Sequence, residues 1–126
     1  MAKILIVEDS ADMRQLMHDL LDALGHDVIE AEDGLEGVKN ALSNLPDLII
    51  MDLMMPNAAG DTTLRFMRGT PELKSIPVLV VSAHADVAHI AKSMGADSWM
   101  AKPISIDELS KRISEILSGQ SSSPVH

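Results

Sequence analysis

Residues 4–10, Ile4-Leu5-Ile6-Val7-Glu8-Asp9-Ser10, set four aliphatic side chains directly against two acids and a hydroxyl. An apolar run of that length closed by polar residues reads as a strand buried on both faces, the condition of strands inside a parallel sheet. The pattern returns at Leu48-Ile49-Ile50-Met51 before Asp52 and at Val78-Leu79-Val80-Val81 before Ser82. A weaker copy, Ser98-Trp99-Met100-Ala101, precedes Lys102. In an open parallel sheet the carboxyl ends of the strands share one edge, and side chains just past those ends converge there whatever their separation along the chain. The pattern predicts one pocket holding the carboxylates of Glu8, Asp9 and Asp52, the Ser82 hydroxyl and the Lys102 amine. Such a set suits a divalent cation and acceptance of a phosphoryl group on a carboxylate.

Between the apolar runs the period changes to that of helices, the signature of repeated βα units with helices on both faces of a parallel sheet. Five repeats are legible. After the first strand, Met13, Leu16, Met17, Leu20, Leu21 and Leu24 form an apolar stripe on a helix that Ser10 caps and Gly25 ends. Asp27 to Glu30 reads as a short second strand. Gly34 to Ser43 reads as a helix with Leu35, Val38, Ala41 and Leu42 inward, broken at Leu45-Pro46. A third helix, about Asp61 to Arg68, buries Leu64 and Met67, and Gly69 to Pro77 is a turn-rich loop. The fourth carries a thin stripe of Val87, Ile90, Ala91 and Met94 and stops at Gly95. The last opens on the capping-box pattern Ser105-Ile106-Asp107-Glu108, turns Leu109, Ile113, Ile116 and Leu117 to one side, and closes at Gly119. Residues 1–119 therefore read as one domain, and 120–126 as a disordered tail or linker stub.

A length of 126 residues and an apolar share of 46% allow one globular core and leave no room for a second domain. The chain has no cysteine, which removes disulfides, thiolate metal sites and a cysteine nucleophile together. No stretch has the apolar length of a signal peptide or a bilayer span, so a cytoplasmic protein without membrane insertion is expected. A formal charge of -9 argues against direct binding to nucleic acid or anionic lipid. Phe66 and Trp99 are the only aromatic residues, too few for base-stacking platforms. The nine methionines are best read as filling irregular gaps in the core.

A carboxylate attacks phosphorus only where positive charge offsets its repulsion from an anionic donor, and in phosphoryl transfer a protein mainly positions groups and stabilises charge. Glu8, Asp9 and Asp52 are hard oxygen ligands of the kind Mg²⁺ (or Mn²⁺) takes while keeping waters and substrate phosphate in its octahedron. Lys102 adds a compact second charge, and the Ser82 hydroxyl can donate to another phosphoryl oxygen. Taken singly, each residue has an ordinary reading. Glu8-Asp9-Ser10 could be an acidic helix start, Asp52 a turn cap, Ser82 a turn residue and Lys102 a solvated charge. Their joint placement past strand ends at one sheet edge is what points to a site.

At this point the chain resembles a family. ILIVEDS, AEDGLEG, DLIIMDLMMPNAAG, IPVLVVSAHA and GADSWMAKP, in that order and spacing, are similar to the receiver domain of bacterial two-component response regulators, in particular stand-alone chemotaxis-type regulators. The resemblance runs from Lys3 to about Leu117. It implies a flavodoxin-like, doubly wound α/β fold: a five-stranded parallel sheet of order 2-1-3-4-5 with five helices. It implies that Asp52 is the phosphoacceptor, that Glu8, Asp9 and Asp52 surround Mg²⁺, and that the Met54 backbone carbonyl adds a ligand. Ser82 matches the switch hydroxyl, Lys102 the family lysine and Gly60 the glycine after the phosphoacceptor loop. The Lys102-Pro103 bond would be cis, which only X-Pro bonds do at low cost.

Two departures stand out. Glu8 replaces the commoner Asp, and its longer arm would reach the metal through water. The switch aromatic is Trp99 where Tyr or Phe is usual, so Trp99 is either a moving switch or a fixed anchor of a partner-binding face. Met54 and His84 fall at positions that, in the family, flank the phosphoryl group and tune its lifetime. His84 is either a group that orders or excludes water there or a solvent-facing imidazole with no role, and the other four histidines read as surface residues.

The resemblance implies a phosphoacceptor switch. A histidine kinase or histidine phosphotransfer protein donates to Asp52, and a downstream effector reads the changed face. The chain would be a monomer or a phosphorylation-dependent dimer, either free-standing or a piece of a larger protein, and not a turnover enzyme. Three alternatives fit less well. A phosphohydrolase with an aspartyl-phosphate intermediate would place its nucleophile after the first strand, with a second Asp two residues on and a cap domain. A flavin-binding electron carrier would need a phosphate-cradling loop rich in Ser, Thr and Gly where this chain is acidic. A pseudo-receiver acting only as a docking module would have no need of the complete residue set.

Overall fold

In the computed structural model, which describes residues 2–53 and 60–119, five strands alternate with five helices. They are β1 (Lys3–Val7), α1 (Ala11–Ala23), β2 (Asp27–Ala31), α2 (Gly34–Asn44), β3 (Leu48–Met51), α3 (Gly60–Arg68), β4 (Val78–Ser82), α4 (Val87–Ser93), β5 (Ser98–Ala101) and α5 (Ile106–Ser118). The strands pair in parallel in the order β2-β1-β3-β4-β5, as the resemblance implies. The Lys102-Pro103 bond is cis, also as implied.

Each apolar run splits its side chains between two cores. Leu5, Val7, Ile49, Met51, Val78 and Val80 pack against Ala41 of α2, Leu64 and Met67 of α3, and Val87 and Ala91 of α4. Ile4, Ile6, Leu48, Ile50, Leu79 and Val81 pack on the opposite face against Met17 and Leu21 of α1 and Leu109, Ile113 and Ile116 of α5. Burial on both faces is why the runs are continuously apolar rather than alternating.

Helix ends follow local chemistry. The Ser10 side chain accepts from the Met13 N–H, Asp33 from the Glu36 N–H and Ser105 from the Glu108 N–H. The capping box at α5 is half made, because the Glu108 carboxylate takes Arg112 Nη2 at 3.1 Å. Leu45 ends α2 with φ 46 in the left-handed region, and Gly25 and Gly119 follow α1 and α5 with φ 90 and 80.

The inward face of α2 differs from the expected leucine stripe. Leu35 is 64% exposed and Leu42 44%, while Gly34, Gly37 and Ala41 are buried and Val38 is partly so. The reason is close approach: a Cβ on Gly37 would lie 2.9 Å from Val7 Cγ2. The helix therefore turns its small residues to the sheet and its leucines outward. Leu16 of α1, Leu24 just past its end and Leu117 of α5 belong to the expected stripes but are exposed, while their neighbours Met17, Leu21 and Ile116 fill the core. Within the 69–77 loop, Leu73 and Ile76 are buried core residues that carry no periodic signal. Ser82 is the last residue of β4 rather than the first past it, since its pairing with Ala101 continues the ladder. The segment 120–126, read as a tail, lies outside the described residues.

Candidate functional site: an acidic cluster with a shared lysine

β1 and β3 are neighbours in register Val7↔Met51, so Glu8 and Asp52 emerge side by side. The Asp52 N–H donates to the Val7 carbonyl at 3.1 Å, extending the ladder by one residue and fixing the Asp52 backbone. Carboxylate oxygens of Glu8, Asp9 and Asp52 all lie within 4.8 Å of one another. Glu8 and Asp52 are buried, at 3% and 6% exposure, whereas Asp9 faces solvent.

The opposing charge comes from the end of β5. The Lys102 N–H donates to the Ser82 carbonyl at 3.0 Å, and the ammonium donates to Asp52 Oδ2 at 2.9 Å and Glu8 Oε1 at 3.0 Å. The other Glu8 oxygen accepts from the Ser10 N–H at 3.1 Å. Burial raises the Glu8 carboxyl above its ordinary value, with its bonds to Lys102 and Ser10 working the other way. Burial works against the charged form of Lys102, but its hydrogen bonds to Asp52 and Glu8 outweigh that cost and raise its pKa. The ammonium is therefore protonated at neutral pH. Three acids gathered around one shared lysine remain short of positive charge, and that hard-oxygen donor set fits a divalent cation.

Ser82 is buried, and its Oγ accepts from the His84 N–H at 3.2 Å. With Met51 opposite Val80, Ser82 stands at the same sheet edge as Asp52. His84 is exposed, and its Nδ1 accepts from the Asp86 N–H at 3.0 Å. Trp99 is partly buried against the α4 side of the core, with the Lys92 ammonium 5.4 Å from its ring centroid. Met54 lies outside the described residues. Two of the histidines read as surface residues have specific partners instead. His18 Nδ1 is 2.6 Å from Glu30 Oε2, and His26 Nδ1 accepts from the Ala2 N–H at 3.1 Å. Arg14, in sequence one more charge on α1 with no motif to mark it, also has fixed partners. Its Nη1 donates to the Glu8 carbonyl at 2.8 Å and its Nε to Glu30 Oε1 at 3.1 Å.

Comparison with known proteins identifies the family that shares this fold. Residues 4–114 match the family model of the response regulator receiver domain. The chain is 33% identical over 117 residues to the polar-differentiation response regulator DivK of Brucella anthropi, covering 90% of this chain and 94% of DivK. It is 38% identical over 118 residues to the sensor histidine kinase TmoS of Ectopseudomonas mendocina, covering 92% of this chain but only 12% of TmoS. Among solved structures, the signal receiver domain of a histidine kinase from Syntrophus aciditrophicus superposes with a TM-score of 0.87 at 31% identity, covering 94% of this chain and 92% of that one. The chain belongs to the response regulator receiver family and is a receiver domain of a two-component signalling system. Receiver domains are signalling switches rather than turnover enzymes, they bind Mg²⁺ at an acidic pocket, and they interact with histidine kinases and effectors. No helix among the described residues is long and apolar enough to cross a membrane.

Proposed function

We propose that this chain is a phosphoacceptor switch in which Asp52 takes a phosphoryl group from a phosphohistidine on a histidine kinase or histidine phosphotransfer protein. The observation that carries the reading is the Lys102 ammonium 2.9 Å from the Asp52 carboxylate, beside two further acids that can share one cation with it. An Asp52 oxygen forms the new O–P bond as the donor's N–P bond breaks and its electron pair returns to the imidazole nitrogen. A bound Mg²⁺, held by Glu8, Asp9 and Asp52, supplies positive charge that offsets repulsion between carboxylate and phosphoryl oxygens. Lys102, already hydrogen-bonded to Asp52, stays with the growing negative charge.

The readout follows from how loosely the neighbouring elements are held. The Ser82 hydroxyl accepts from the His84 N–H, and its own proton is directed to a phosphoryl oxygen on Asp52. Drawing Ser82 inward pulls the start of the β4–α4 loop. α4 has seven residues, buries only Val87 and Ala91, and its N-cap Asp86 makes no side-chain cap bond. It is the element best suited to shift, carrying Lys92 relative to Trp99 and changing the face that an effector protein reads. Moving such a switch from nearly all inactive to nearly all active takes a differential of about 5.5 kcal/mol. The chain turns over no separate substrate, and it acts in the cytoplasm, where the ATP that feeds histidine kinases is found.

The test is incubation with acetyl phosphate and Mg²⁺ followed by intact mass. The parent gains one labile phosphoryl group, chelator abolishes the gain, and Asp52→Asn shows none. Equal labelling of Asp52→Asn would place the acceptor elsewhere.

A further inference from the structure

We propose that Arg14 is a positioning residue for the acidic site: it fixes the plane of the Glu8–Asp9 peptide and so aims the Asp9 carboxylate. This rests on the reading of Glu8, Asp9 and Asp52 as the cation and phosphoryl site. The β1 ladder ends at Val7. One residue later the Glu8 N–H still donates to the Ala31 carbonyl at 3.0 Å, but the Glu8 carbonyl has left the ladder and takes its hydrogen bond from Arg14 Nη1 at 2.8 Å. No side-chain hydrogen bond or ion pair holds the Asp9 carboxylate among the described residues, and Asp9 is exposed. Its direction is therefore set by its backbone, and the peptide plane before it is the one Arg14 holds.

Arg14 can do this because its own position is fixed. Its Nε donates to Glu30 Oε1 at 3.1 Å, and the second Glu30 oxygen is engaged by His18 Nδ1 at 2.6 Å. Arg14 and His18 are one turn apart on α1 and grip one carboxylate of β2, so the guanidinium is tied to two elements before it reaches the site. Only a planar fork with several fixed donors serves a carboxylate with one nitrogen and a carbonyl with another; a lysine ammonium offers a single centre.

The charge of Arg14 and its geometry act in opposite directions on cation binding. As a positive charge near the acids, Arg14 repels a cation, and its removal would tighten binding. As a positioning residue it supports Asp9, and its removal weakens binding, by about tenfold for partners that orient a metal ligand.

The experiment compares the full chain with Arg14→Ala and Arg14→Lys. It measures Mn²⁺ affinity by calorimetry, backbone amide relaxation of Asp9 and Ser10 without cation, and the melting midpoint. The expected result is Mn²⁺ affinity about tenfold weaker in both variants, with added motion at Asp9 and Ser10 in the cation-free state. Unchanged or tighter affinity in Arg14→Ala, or full recovery in Arg14→Lys, would overturn the assignment. If Arg14→Ala does not fold, Arg14→Lys decides by the same readings. If the parent itself binds no Mn²⁺, the site reading fails, and the cation-free relaxation still judges Arg14 on its own: unchanged mobility at Asp9 and Ser10 overturns the assignment.

Discussion

Lys102 Nζ lies between two carboxylates from distant parts of the chain, 2.9 Å from Asp52 Oδ2 and 3.0 Å from Glu8 Oε1. The partners are 50 and 94 residues away in sequence, and all three side chains are at most 17% exposed. One ammonium thus compensates two buried acids, and their attraction is little screened by solvent.

Removing that ammonium takes away the positive charge that Glu8 and Asp52 share and leaves two buried carboxylates close together. Lys102→Ala is expected to lower the cation-free unfolding free energy by about 3 kcal/mol at pH 8, the lower end of the cost of breaking a buried pair. Adding Asp52→Asn should restore part of the loss, a coupling that denaturant melts of the single and double variants measure.

The raised Glu8 carboxyl has a pH signature of definite sign. Its ordinary value is 4.5, and burial lifts it in the native state. The native protein then holds this proton more tightly than the unfolded chain does. Its contribution to stability is fully present below pH 4.5 and is lost as pH rises through the native value. The stability of the parent minus that of Glu8→Gln should therefore fall with rising pH above about 4.5 and level off beyond the native pKa. A difference that rises over that window would contradict the burial argument.

At α2, a methyl group is expected to do harm where helix propensity alone predicts benefit. Gly37→Ala gains about 1 kcal/mol in propensity. The added carbon would meet Val7 Cγ2 at 2.9 Å and Cγ1 at 3.1 Å, and Val7 is a stiff, fully buried side chain. Overpacking of this kind costs about 1–3 kcal/mol, so a net destabilisation is predicted by thermal or denaturant unfolding.

Trp99 supplies a built-in optical probe of the switch. Beryllofluoride with Mg²⁺ mimics the phosphoryl group, and movement of α4 would shift Lys92 from its place 5.4 Å from the ring. Trp99 emission is expected to change on adding the anion, and the change should be smaller in Lys92→Ala. A constant signal with the anion bound would make Trp99 a fixed anchor.

How much of this was legible in the sequence depends on what each signal encodes. Doubly buried strands announce themselves as unbroken runs, so Ile4–Val7, Leu48–Met51 and Val78–Val81 fixed the sheet edge where Glu8, Asp52 and Lys102 meet. Helix faces were less legible. On α2 the apolar stripe pointed to Leu35 and Leu42, but close approach to Val7 selected the small-residue face of Gly34, Gly37 and Ala41, which hydrophobicity does not register. Leu73 and Ile76 were hidden by lying between turn residues. Arg14 and Glu30 gave no warning because a charge on a helix or a strand looks solvated until a partner from another element is known.

The most direct test of the central claim is reductive trapping of the phosphorylated protein. An aspartyl phosphate is an acyl phosphate, which borohydride reduces to homoserine, and peptide mapping then locates the converted residue. Treatment with acetyl phosphate and Mg²⁺ followed by borohydride is predicted to yield homoserine at position 52 alone. Conversion at another acid, or none at position 52 in protein shown by mass to carry a phosphoryl group, would contradict the account.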